Sequence, residues 1–190
     1  MIEQRTGLMT IEEFVRLYDE EGPFEIIDGE RIILSPPKAG HVVVTRNILL
    51  AVHGYATEHD LGEAFSEGPF VEIDIPSWVT GSRVPDVMFF AKERFEKYKA
   101  DTPDWENKPF VLVPDLVVEV ISSNDKYTDV SLKVDKYLDD GVRMVWIADQ
   151  KRRTITVRTP TTYITLSVED DLTGGDVLPG FSIKVASIFD

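Results

Sequence analysis

Three residues of common type stand where chemistry could use them: Asp86, Glu119 and Lys133. Glu119 lies in PDLVVEVISSND, residues 114–125, a run whose apolar character marks a β-strand. Alternation sets Asp115, Val117, Glu119 and Ile121 on one face, and Leu116, Val118 and Val120 on the other. With apolar residues on both faces, the strand is expected to be central. An ionised glutamate there is costly unless it is protonated, paired with a cation or bound to a metal.

A cation and a second acid are within reach. On the helix expected at 128–139, Val130, Val134, Tyr137 and Leu138 form the inward stripe, and Lys133 stands at its edge. The helix of a β–α unit packs back over its own strand, so Lys133 can reach the Glu119 face. Leu132 falls on the outer side. Asp86 opens the strand VPDVMFF, where an acid is poised at the end of an apolar strand. On neighbouring strands, Asp86 and Glu119 would form an oxygen site for Mg²⁺ or Mn²⁺. Two carboxylates, a hard metal and a lysine suit phosphodiester hydrolysis: the metal polarises the phosphoryl oxygen and activates water, and the ammonium orients that water or offsets developing charge.

The elements that must position these groups are legible in outline. TIEEFVRLYDE (10–20) reads as a helix opened by a Thr10–Glu13 capping box. FEIIDGERIIL (24–34) is a hairpin around Asp28-Gly29. Residues 41–60 form a long helix, 63–75 have strand propensity broken at Gly68-Pro69, and 76–83 read as a loop. A strand region follows at 84–90, then a polar stretch at 91–110 with one or two helical turns. The 114–149 segment is a β–α–β unit with a second strand at 142–149. Residues 152–168 read as a terminal hairpin, and DVLPGFSIKVASIFD as a closing loop with a short packed segment. The sum is an α/β chain: a mixed β-sheet with helices, an N-terminal hairpin and a C-terminal β extension, expected as one domain over 1–190.

Composition narrows the function classes. The net charge of −14 argues against a constitutive, non-specific nucleic-acid binder, although residues 120–160 carry eight Lys/Arg against six acids. Cysteine is absent, so disulfides and thiolate metal sites are excluded. No apolar run is long enough to span a membrane, and the N-terminal residues lack a signal-like pattern. A cytoplasmic chain with no membrane association is expected.

The order of motifs carries a resemblance: Pro85-Asp86, PDLVVEVISSND at 114–125, Lys133, then KYLDDGVRMVWIAD at 136–149. With EIIDGERIILSPPKAGH at 25–41 and DVLPGFSIKVASIF near the end, it resembles the Uma-type putative restriction endonuclease family, a branch of the PD-(D/E)XK nuclease superfamily. The resemblance spans nearly the whole chain and implies a restriction-endonuclease-like fold. It implies Asp86 and Glu119 as metal ligands for Mg²⁺ or Mn²⁺, with the backbone carbonyl of Val120 as a further ligand. The superfamily lysine would fall at 121, which is Ile121 here; the family instead supplies it from the following helix, at Lys133.

Other candidates have bland readings beside their functional ones. Glu30 matches the family's DGE and reads as an added metal ligand or as an exposed hairpin carboxylate. His41, at a helix start, reads as a phosphate or metal contact or as a structural histidine. Asp115 reads as an additional site acid or as a strand-start acid near solvent. His53 and His59 are surface residues, Trp146 is core, and Lys151-Arg152-Arg153 is a basic turn. Two functions follow. One is a metal-dependent DNA endonuclease with Asp86, Glu119 and Lys133 as catalytic residues, working as a homodimer with one site per strand. The other is a non-catalytic module that keeps the nuclease fold to bind protein or nucleic acid.

Overall fold

The computed structural model describes residues 9–74, 78–121 and 127–190. In chain order its elements begin β1 (Met9–Thr10), α1 (Ile11–Glu21), β2 (Phe24–Ile27), β3 (Glu30–Ile33), α2 (Ala39–Glu58), β4 (Gly62–Phe65) and β5 (Phe70–Asp74). Next come β6 (Trp78–Arg83), β7 (Val87–Ala91), α3 (Lys92–Asp101), β8 (Leu116–Ile121), α4 (Tyr127–Asp139) and β9 (Met144–Asp149). Last are β10 (Thr154–Arg158), β11 (Tyr163–Leu166), β12 (Asp171–Gly174) and β13 (Leu178–Lys184), with a closing 3₁₀ turn at Val185–Ile188. These elements make two compact units interleaved along the chain. Over the described residues, the first takes 1–36, 68–84 and 98–113, and the second takes 37–67, 85–97 and 114–190.

In the first unit a sheet runs β1-β6-β2-β3, with β5 also on β6. The β2–β3 hairpin turns through Asp28 and Gly29, both at positive φ (51° and 81°), the twist that a two-residue hairpin requires. Helix α1 starts in a capping box: Glu13 N–H donates to Thr10 Oγ1 (3.2 Å) and Thr10 N–H to Glu13 Oε2 (3.0 Å). That reciprocal pair stabilises the helix start by about 1 kcal/mol. The helix buries Phe14 against Phe24, Ile26, Val71 and Val79.

Residues 78–83 are not the loop expected from sequence. They form β6, which pairs with β1, β2 and β5. Gly81, Ser82 and Arg83 gave a loop-like composition, yet Ser82 and Arg83 are buried because their polar atoms are met by strand backbone. Ile26 N–H donates to Ser82 Oγ (2.9 Å), and Arg83 donates to Ile26 O (2.7 Å). The remainder of that expected loop, 76–77, lies outside the described residues.

The second unit is a six-stranded mixed sheet, β11-β10-β9-β8-β7-β4, in which only β8 and β9 run parallel. The parallel pair is what a β–α–β crossover through α4 gives. On one face α2 lays Val44, Ile48, Val52 and Ala56, spaced every four residues, over Val118, Val120 and Trp146. The C-terminal residues cover the same face. They fold as a β12–β13 hairpin carrying Leu172, Leu178 and Phe181, where a loop had been expected. Pro179 and Gly180 hid that strand: Gly180 sits at φ 81°, where a Cβ would meet the Tyr55 hydroxyl, and that hydroxyl donates to Pro179 O (3.0 Å). The opposite face of β8 and β9 receives α4, through buried Val134 and Tyr137. Helix α3 runs ten residues, longer than the one or two turns expected there.

Candidate active site

Strand β8 ends the positioning work that its sequence begins. Leu116, Val118 and Val120 join the core beneath α2, so Glu119 is turned to the α4 face. The register of β7 on β8 sets Val87 opposite Val118. Continued past the end of β7, the same register would bring Asp86 opposite Glu119 and then Pro85 opposite Val120. Directly opposed residues on antiparallel strands have Cβ atoms about 5 Å apart, so a continued register would put the two acids near one another at one end of the β7–β8 pair.

Asp86 is fixed from two sides. Its Oδ2 accepts the Val120 N–H (2.7 Å), and its Oδ1 lies 2.7 Å from His41 Nε2 at the start of α2. The carboxylate thus replaces the ladder bond that β7 would have made to Val120. In a strand, N–H and C=O of one residue point the same way, so the Val120 carbonyl also faces Asp86. Pro85 has no N–H to give it.

Glu119 is held by α4. Lys133 Nζ donates to Oε2 (3.1 Å) and the Tyr137 hydroxyl donates to Oε1 (2.5 Å). Lys133 and Tyr137 are one helical turn apart, and the ammonium also lies 5.8 Å from the Tyr137 ring centre. The Glu119 side chain keeps 13% of its surface and that of Lys133 keeps 23%, so the pair is reachable from solvent. Tyr137 had been assigned only to the apolar stripe. Its ring is fully buried as expected, but its hydroxyl holds the acid. The sequence signal was a tyrosine, rather than a leucine, four residues beyond the lysine. Leu132, on the outer side, is 65% exposed.

Of the further candidates, His41 joins this cluster through Asp86. Glu30 is exposed on β3 in the first unit. Asp115 corrects the expectation of an acid near solvent: its side chain is 0% exposed. Its Oδ2 accepts the Ala91 N–H (2.9 Å), and its Oδ1 meets Arg94 (2.8 Å) and Arg143 (3.4 Å). Its backbone is equally committed, donating to Phe89 O and accepting from Arg143 and Met144. A strand start can be dry when three elements meet on it, and here β7, α3 and β9 do so. His53 and His59 are exposed, and Trp146 is buried.

The donor set for a cation is all oxygen: two carboxylates and the Val120 carbonyl. No cluster of three or more His, Cys, Asp or Glu side chains is placed for a metal among the described residues. An all-oxygen donor set would suit Mg²⁺ or Mn²⁺ rather than zinc, since Mg²⁺ takes one or two carboxylates and fills its octahedron with water and substrate phosphate.

No helix among the described residues is long and apolar enough to cross a membrane. No curated protein matches the chain. Among solved structures, it is similar to a putative nuclease belonging to DUF820 from Anabaena variabilis ATCC 29413, with a TM-score of 0.76 and 21% identity over 95% of this chain and 97% of that one. That likeness carries the fold: a restriction-endonuclease-like α/β sheet flanked by helices. Residues 11–186 match the family Uma2, described as "Putative restriction endonuclease"; the chain belongs to that family.

Proposed function

We propose that the protein is a metal-dependent nuclease that hydrolyses phosphodiester bonds in DNA. The observation that carries this reading is Asp86 held on the Val120 N–H (2.7 Å), one residue beyond Glu119, with the Lys133 ammonium 3.1 Å from Glu119. Asp86, Glu119 and the Val120 carbonyl would hold Mg²⁺ or Mn²⁺. When bound, the cation supplies Lewis-acid polarisation of the phosphoryl oxygen and a more acidic water. The chain's own residues do the rest. Lys133 orients the attacking water and offsets charge growing on the phosphoryl oxygens. Tyr137 fixes one Glu119 oxygen, so the other faces Lys133 and the substrate. His41 and the Val120 N–H hold the Asp86 carboxylate in one orientation, removing a rotation that would misplace it.

A DNA substrate fits a cytoplasmic chain, and a symmetric homodimer would offer one site to each strand of a duplex. Cleavage of plasmid DNA with Mg²⁺ or Mn²⁺ tests the reading. Wild type should cut, while Asp86→Asn and Lys133→Ala should cut at least about 10²-fold more slowly. Equal cutting by all three overturns it.

One observation favours the second reading, a nuclease-fold module that binds without cutting. Every carboxylate oxygen of Asp86 and Glu119 already meets a protein group. Calorimetric titration separates the two. Heat of Mn²⁺ binding that vanishes in Glu119→Gln supports the enzyme, and no heat supports the module.

A further inference from the structure

We propose that the second unit holds an unpaired nucleobase of its substrate strand in the cavity between α4 and strands β9–β11; this rests on the nuclease reading and adds a substrate feature to it. The cavity has a volume of about 220 Å³. Its floor is apolar, made by Ile121, Val134 and Ile147. Hydroxyls rim it, from Thr154, Thr156 and Thr165. Tyr163 forms an aromatic wall, half exposed, with the Arg158 guanidinium 4.9 Å from its ring centre. Arg158 is itself anchored on Asp135 (3.0 Å).

An apolar floor, an aromatic wall and a hydroxyl rim are what a heteroaromatic base requires: stacking on its faces and hydrogen bonds at its edge. A phosphate suits the cavity less well. It would meet the apolar floor, and both guanidiniums are already bonded, Arg152 to Asp149 and Arg158 to Asp135.

Position relates the cavity to the chemistry. Ile121 is two residues beyond Glu119 on the same strand face, about 7 Å away along the strand. Val134 follows Lys133 on α4. A base in the cavity therefore belongs to a nucleotide beside the scissile phosphate. Ile121 also stands where the wider superfamily pattern has its lysine. A lysine there would put a charge in the cavity wall. With isoleucine the wall is apolar, and the ammonium arrives from α4 instead. Stacked bases of a duplex cannot enter, so the strand must be single, or its base extruded.

The test uses the full chain and a short single-stranded oligodeoxynucleotide carrying 2-aminopurine at successive positions, without divalent metal so that nothing is cut. One position should change its emission on binding. Thr156→Trp, which fills the cavity, and Tyr163→Ala, at a half-exposed site where folding is not at stake, should each weaken binding about 5- to 100-fold. Tyr163→Phe should bind as wild type. Wild-type affinity in both Thr156→Trp and Tyr163→Ala, with no position-specific emission, overturns the cavity assignment even if plasmid is cut. Cutting by Glu119→Gln at the wild-type rate overturns the nuclease reading instead, and the cavity is then judged on affinity alone.

Discussion

Asp115, just before β8, and Glu119, within it, stand four residues apart, and the protein treats them differently. Asp115 is sealed from solvent and saturated by one backbone N–H and two arginines. Those arginines come from α3 and the start of β9, so the acid ties three elements together. Glu119 accepts from Lys133 and Tyr137 on α4 and keeps a solvent path. A carboxylate enclosed by donors is a structural joint. One that keeps solvent access beside an ammonium is a candidate place to bind and react.

Substitutions at the two acids should therefore fail in different ways. Glu119→Gln and Asp86→Asn should each lower the cleavage rate on the order of 10²–10³-fold, with melting temperatures near wild type. Asp115→Ala should do the opposite. Removing a buried acid that partners an N–H and two guanidiniums costs roughly 3 kcal/mol. That corresponds to about a 6–12 °C lower melting temperature at this chain length. If Asp115→Ala melts like wild type, the contrast collapses.

Smaller effects sharpen the contrast. Lys133→Ala should reduce cleavage by about 10²-fold, with Lys133→Arg recovering part of the loss in the same assay. Tyr137→Phe removes one hydrogen bond to Glu119 and nothing else of the ring. It should cost about 1–2 kcal/mol in urea unfolding and slow cleavage less than Lys133→Ala does.

The smallest effect concerns a third acid, Asp149, at the end of β9 in register with Ile121. Burial raises its carboxyl, but the Arg152 N–H (2.9 Å) and guanidinium (2.6 Å) outweigh that, leaving it below the usual carboxylate range. A pKa depressed on folding stabilises above the unfolded-state value, and the contribution fades as pH falls through the folded one. Asp149→Asn should thus unfold at lower urea than wild type at pH 7, and the two midpoints should converge in acid. A gap that stays constant with pH would mean the carboxylate charge is not what Arg152 reads.

Local signals explain what could be seen in advance. The Thr10–Glu13 box, the Asp28-Gly29 turn and the apolar runs of β8 and β9 are each written within a few residues, and each formed. The reach of Lys133 to Glu119 followed from one helix on its own strand. The failures share a different cause: the partners lie far away in sequence. Ser82 and Arg83 look like loop residues until β2, 56 and 57 positions away, supplies their hydrogen bonds. Asp115 is dried by arginines on two other elements. The segment holding Pro179-Gly180 read as a closing loop, but Tyr55 accommodates the dipeptide from α2.

Carrying the proposed ammonium on α4 rather than on β8 makes the site conditional. A lysine at 121 would stay in place for as long as the sheet did. Lys133 stays only while Val134 and Tyr137 keep one helix docked. Such a helix can come loose before the six-stranded sheet melts. On heating, cleavage should be lost at a lower temperature than the sheet signal in circular dichroism. A worn or partly denatured copy of the proposed nuclease would then fall silent before it could become an indiscriminate cutter, a built-in fuse.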